Sequence, residues 1–141
     1  MSYCTLQDIT STITSEDVLQ LTDDNGTGIV DTDKVNETIA KADGLILAFI
    51  GGDVLNPVPE LIRQISVELS IYHLFKRRFA ANMPDSIEKG YSHAMDLLKQ
   101  IQSGKLSIGT VATEQTAPSR HYKTNKASDD RLFGRSRLSS Y

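Results

Sequence analysis

The stretch that follows Pro59, "ELIRQISVELSIYHLFKRRF", constrains this chain more than any other. Ile62, Ile65, Leu69, Tyr72, Phe75 and Phe79 recur at helical spacing, and Leu61, Val67, Ile71 and Leu74 widen the apolar face. A helix with so broad an apolar face needs cover on more than one side. The spacing therefore predicts a central helix inside a small bundle. Pro57 and Pro59 in "NPVPE" stop any helix arriving from before, and Pro59 suits the first turn of the new one.

Two more long segments can cover it. Val35, Ile39, Ala42, Ile46 and Phe49 form one apolar stripe, capped at the start by Asp31, Thr32 or Asp33 and stopped by Gly51-Gly52. Gly44 lies within that helix and weakens it by about 1 kcal/mol against Ala, which fits the close approach of another helix. After "ANMPDS", from about Pro84, the residues Ile87, Tyr91, Ala94, Leu98 and Ile101 repeat the pattern as far as Ser103-Gly104. Upstream, Thr5 caps a short helix through Leu6, Ile9 and Ile13. Ser15 opens another, because "SEDV" sets a cap and first-turn carboxylates before Val18, Leu19 and Leu21. "KLSIG" predicts a short strand. The expected fold is all-α: a bundle of about four helices over residues 1–108, with one short strand, and then an extended C-terminal arm over residues 109–141.

"LTDDNGTGIVD", Leu21 to Asp31, has the composition of a calcium loop but not its spacing. Such a loop needs oxygen ligands at positions 1, 3 and 5, Gly at 6 and a bidentate Glu at 12. With Gly26 in the Gly slot, position 1 is Leu21 and position 12 is Thr32. With Gly28 there, Asp23, Asn25 and Thr27 fit the early positions, but Lys34 falls at position 12. The expected role is a turn, for which Asn25-Gly26 is well suited. No metal is expected.

The arm differs in composition from the body. "TVATEQTAPSRHYKTNKASDD" has no hydrophobic period and cannot bury enough apolar area to offset its ordering entropy. "RLFGRSRLSSY" then brings Arg131, Leu132, Phe133, Arg135, Arg137, Leu138 and Tyr141 together. A tether ending in apolar and Arg anchors predicts a segment that orders on a partner. Charge divides the same way. Residues 1–106 hold 9 Lys and Arg against 15 Asp and Glu, a net −6, whereas residues 107–141 hold 6 against 3, a net +3. A basic arm on an acidic body points to an acidic partner: a neighbouring copy, another protein or nucleic acid.

Chemistry is poorly represented. Cys4 alone builds no disulfide framework and no zinc site, which fits a reducing compartment. "MSYCTLQDIT" lacks the basic segment and apolar run of a secretory signal, and no apolar stretch approaches the roughly 20 residues of a membrane span, so no membrane partner is expected. His73, His93 and His121 lie in three different segments, and no nucleophile elbow, HExxH or phosphate loop occurs. The chain is expected not to be an enzyme and to need no cofactor. In "HLFKRRF", His73 to Phe79, the cations Lys76, Arg77 and Arg78 complement the negative end of the helix. The same cluster can instead face DNA or an acidic neighbour, which gives the alternative of a small DNA-binding regulatory protein. "PDSIEKGYSHAMDLLKQIQSG" is not enriched in residues that reach base edges, as a recognition helix would be.

The order of these pieces carries a resemblance. "SYCTLQDI" leads to "LTDDNGTGIVDTDKVNETIAKADGLI", then "VPELIRQISVELSIYHLFKRR", "YSHAMDLLKQIQSGKLSIG" and a distal "DDRLFGRSRL". This resembles, over nearly the whole chain, a Mu-like phage family long catalogued as a domain of unknown function and associated with head–tail connection. The resemblance implies a structural virion protein: an adaptor in a ring of about twelve copies under the portal protein. The ring extends the DNA channel and joins the head to the tail. It also implies the partners: the portal, neighbouring copies, the next connector or tail protein, and transient non-specific contact with genomic DNA. The expected location is the head–tail interface of the virion, and the host cytoplasm during assembly.

Overall fold

The computed structural model describes residues 1–52 and 55–108. They form five helices and no strand: α1 (Leu6–Thr12), α2 (Ser15–Thr22), α3 (Thr32–Ile50), α4 (Glu60–Phe79) and α5 (Asp85–Gln102). The class is all-α, as the spacing predicts. The five helices are the five helical segments read from the sequence, one more than the rounded figure of about four, and α1 and α2 are parted at Ile13 and Thr14.

Each boundary has a local cause. Thr5 and Asp8 form a capping box: the Asp8 amide donates to Thr5 Oγ1 at 3.4 Å, and the Thr5 amide donates to Asp8 Oδ2 at 2.8 Å. Thr14, not Ser15, caps α2 by the same device with Asp17. Both residues have a hydroxyl, but only Thr14 stands three residues before a carboxylate whose return bond closes the box. Asp31 caps α3, accepting from the amides of Asp33 and Lys34. At the other end Gly51, at φ 94°, lets the chain turn back on the Leu47 carbonyl. Pro59 and Pro84 each stand just before the first helical residue, one position earlier than expected for Pro59.

The expected strand at "KLSIG" does not form over residues 105–108; Gly109 lies outside the described residues. Gly104 takes φ 73°, and the amides of Lys105 and Leu106 both donate to the Gln100 carbonyl. The segment closes α5 instead of pairing with an edge, and no described strand offers it one.

α4 is the central helix, in contact with all four others. Its Val67, Ile71 and Leu74 pack with Ile9, Val18, Leu21, Val35 and Ile39, contributed by α1, α2 and α3. Its Ile62, Ile65 and Leu69 pack with Ala42 and Ile46 of α3 and Ala94 and Leu98 of α5. The N-terminal residues join both clusters, Cys4 the first and Tyr3 the second. Not every member of the apolar stripe is covered. Tyr72 is half-buried, stacked on Tyr91 at 3.9 Å between ring centroids, and Phe79, the last residue of α4, is 39% exposed. Gly44 does not admit another helix: it faces outward, and a Cβ there would meet nothing within 4 Å.

Candidate functional site

The acidic turn and the basic end of α4 are one structure. Arg77 grips Asp24 with both terminal nitrogens, at 2.7 and 3.0 Å, and its Nη2 also donates to the Leu21 carbonyl. Arg78 Nη1 donates to Asp24 at 3.2 Å and to the Asp23 carbonyl at 2.8 Å. Lys34, in the first turn of α3, reaches Asp24 at 2.8 Å, Asp31 at 3.1 Å and the Thr22 carbonyl at 3.0 Å. Asp23 points the other way and organises the turn, accepting from the Thr27 and Gly28 amides at 2.9 and 2.7 Å. Gly26 and Gly28 sit at φ 69° and 72°, where glycine alone is unstrained. The end of α2, the start of α3 and the end of α4 are thus joined through Asp24.

The electrostatics agree with this reading. Hydrogen bonds from Arg77 and Lys34 hold the Asp24 carboxyl well below the usual carboxylate range. Backbone amides lower Asp23, and Lys34 lowers Asp31. Lys34 and Arg77 rise in turn. The turn carboxylates already have cations and amides as partners, and among the described residues no group of His, Cys, Asp or Glu is placed to hold a metal ion.

Sequence reasoning missed a second polar cluster, which lies in the core. Asp43 of α3 accepts from the Tyr3 amide at 3.2 Å and from Ser66 Oγ at 3.0 Å. Ser66 also touches Cys4 Sγ at 3.2 Å, and Ser70 donates to the Ser66 carbonyl at 2.7 Å. Burial raises both the Asp43 carboxyl and the Cys4 thiol. A fully buried thiol with a raised pKa is a poor nucleophile, so the cluster fastens the N-terminus between α3 and α4 rather than forming a reactive centre. Its signal was present: Ser66 and Ser70 are four apart among the apolar residues of the central helix, and Asp43 directly follows Ala42 of the α3 stripe.

Two shallow grooves flank the outer ridge of α4 formed by Gln64 and Glu68. One runs between α4 and α1, bordered by Asp8, Glu60 and Arg63; the other runs between α4 and α5, bordered by Leu61, His93 and Leu97. Gly90 of α5 leaves room for the Glu68 carboxylate, which would collide with a Cβ at that position. Among the described residues Glu68 has no ion-pair partner, and Glu60 meets only Arg63, at 3.7 Å.

Of the basic residues singled out from the sequence, Arg77 and Arg78 bind the acidic turn, while Lys76 is exposed, its Nζ 5.7 Å from the Tyr72 ring centroid. The arm residues Arg131, Leu132, Phe133, Arg135, Arg137, Leu138 and Tyr141 lie outside the described residues. Among the described residues no helix is long and apolar enough to cross a membrane. The family model described as "Bacteriophage Mu, Gp36" matches residues 3–126. No curated protein matches the chain.

Proposed function

The chain belongs to the bacteriophage Mu Gp36 family, and from that premise we propose that it is a structural protein of the phage particle, an adaptor in a ring beneath the portal that joins head to tail. The observation that carries the proposal is how the charged and polar groups are used. The Asp24 cluster ties three helix ends together, and the Asp43 cluster anchors the N-terminus to α3 and α4. Both are devices that hold a small bundle rigid, which suits an assembly unit. An acidic body also suits a ring through which DNA passes, because like charge keeps a phosphate backbone from adhering.

The alternative of a DNA-binding regulator needs the basic end of α4 free. Arg77 and Arg78 each meet Asp24 and a backbone carbonyl at the end of α2, so phosphates would have to displace these contacts. Negative-stain imaging of the purified protein, with and without its portal, tests the proposal. The expected result is a ring seated on the portal, together with duplex affinity no stronger than weak, salt-sensitive, non-specific binding. Tight duplex binding with no portal association would overturn it.

A further inference from the structure

We propose that the face of α4 carrying Glu60, Gln64 and Glu68 is a docking site for the Arg131–Leu138 segment of a second copy of this chain. The inference deepens the adaptor reading, since it supplies a contact between neighbours in the ring.

The face carries an unmet charge. Glu68 is half-buried beside Gly90, and no cation of the described residues pairs with it. Asp8 and Glu60 border the adjoining groove, with Arg63 as the single cation there. Beside these carboxylates the second groove exposes part of Leu61 and Leu97 over a floor of Ile65 and Ala94. The face therefore asks for an occupant that is basic and apolar by turns. "RLFGRSRL" has that composition, with three Arg interleaved among Leu132, Phe133 and Leu138. Arg offers a planar fork for a carboxylate, and a buried Phe or Leu supplies the apolar anchor. The charge division of the whole chain, −6 in residues 1–106 and +3 in residues 107–141, has the same sense.

The tether is long enough to reach a neighbour. Residues 109–130 separate the described bundle from the docking segment and span roughly 70 Å when extended, at about 3.3 Å per residue. Each copy then offers one arm and one face, and such head-to-tail pairing is the kind that closes a ring.

The test is sedimentation equilibrium of the full-length protein without portal or particles, so its failure is distinct from failure of portal binding. One variant reverses the face (Glu60→Lys with Glu68→Lys) and another reverses the arm (Arg135→Glu with Arg137→Glu). Circular dichroism confirms that each is folded. The wild type is expected to self-associate reversibly, more weakly as salt is raised. Each variant alone should weaken association by about tenfold or more, and an equimolar mixture of the two should restore it, because reversed face then meets reversed arm. A wild type that stays monomeric up to about 1 mM overturns the proposal, and so does association indifferent to either reversal. A monomer whose own arm covers the face, seen as arm-dependent shifts of the Glu68 and Leu97 amides in NMR spectra, overturns the choice of a second copy as occupant.

Discussion

Asp24 is 42% exposed, yet three cations converge on it, so its contribution is ionic and sensitive to conditions rather than fixed by burial. Its carboxyl is held below the usual range by Arg77 and Lys34. The unfolded chain therefore takes up the proton first as pH falls. The stabilisation is fully present above the unfolded value of about 4 and is lost progressively as pH falls toward the depressed folded value. Asp24→Asn should accordingly be less stable than wild type at neutral pH, by a margin that narrows in acid and in high salt; urea denaturation of both proteins at several pH values checks this. Asp43 has the opposite sign. Burial raises its pKa, so the folded state binds the proton more tightly and stability falls as pH rises through that window. The wild-type profile mixes the two effects, and the comparison with Asn at position 24 isolates one. Leu69 presents a simpler case. It is fully buried between α3 and α5, and Leu69→Ala should cost about 2–5 kcal/mol through lost transfer energy and a cavity. A melting temperature within about a degree of wild type would mean that this helix face is not core.

α4 was legible in the sequence because a helix surrounded on most sides must carry apolar residues on most sides, and "ELIRQISVELSIYHLFKRRF" does. α3 and α5 were legible for the matching reason: each shows one stripe, and each buries one stripe. The strand at "KLSIG" was misread because a short alternating pattern carries no information about whether an edge exists to receive it. The Asp24 cluster was half legible. Its acidic turn and basic helix end each stood out, but their partners are 53 and 54 residues apart, and no local period reports so distant a pairing. The reading of Gly44 failed for another reason, since a helical glycine has more than one cause. Here the position is exposed, with open space around it. Gly44→Ala should then raise stability by about 1 kcal/mol by removing backbone freedom from the unfolded chain. Thermal melts followed at 222 nm test it, and a loss of stability would show that a Cβ at this position disturbs a contact.

Both core clusters of the described bundle draw on residues between Tyr3 and Leu98, and the partly buried groups packed against them end at Ile108. These contacts alone join all five helices, so the bundle should not depend on the rest of the chain. Residues 109–130 lack any apolar period, which gives them little to contribute to a core. The final residues are different: Phe133, Arg135 and Arg137 are of types enriched at interfaces, and Leu132 and Leu138 add apolar area beside them. A long tether allows them to reach a neighbour at modest loop-closure cost, and it raises their effective concentration once a ring begins to form. A chain shortened after Gly109 should therefore keep its helical circular dichroism and its cooperative melt while failing to join portal-bound particles. Phe133→Ala with Leu138→Ala in the full-length chain should reproduce much of that failure without lowering the melting temperature. If the shortened chain unfolds, the arm contributes to the monomer's core. If it still completes infectious particles, the anchors have no role in assembly, and the contacts between copies must come from the helices themselves.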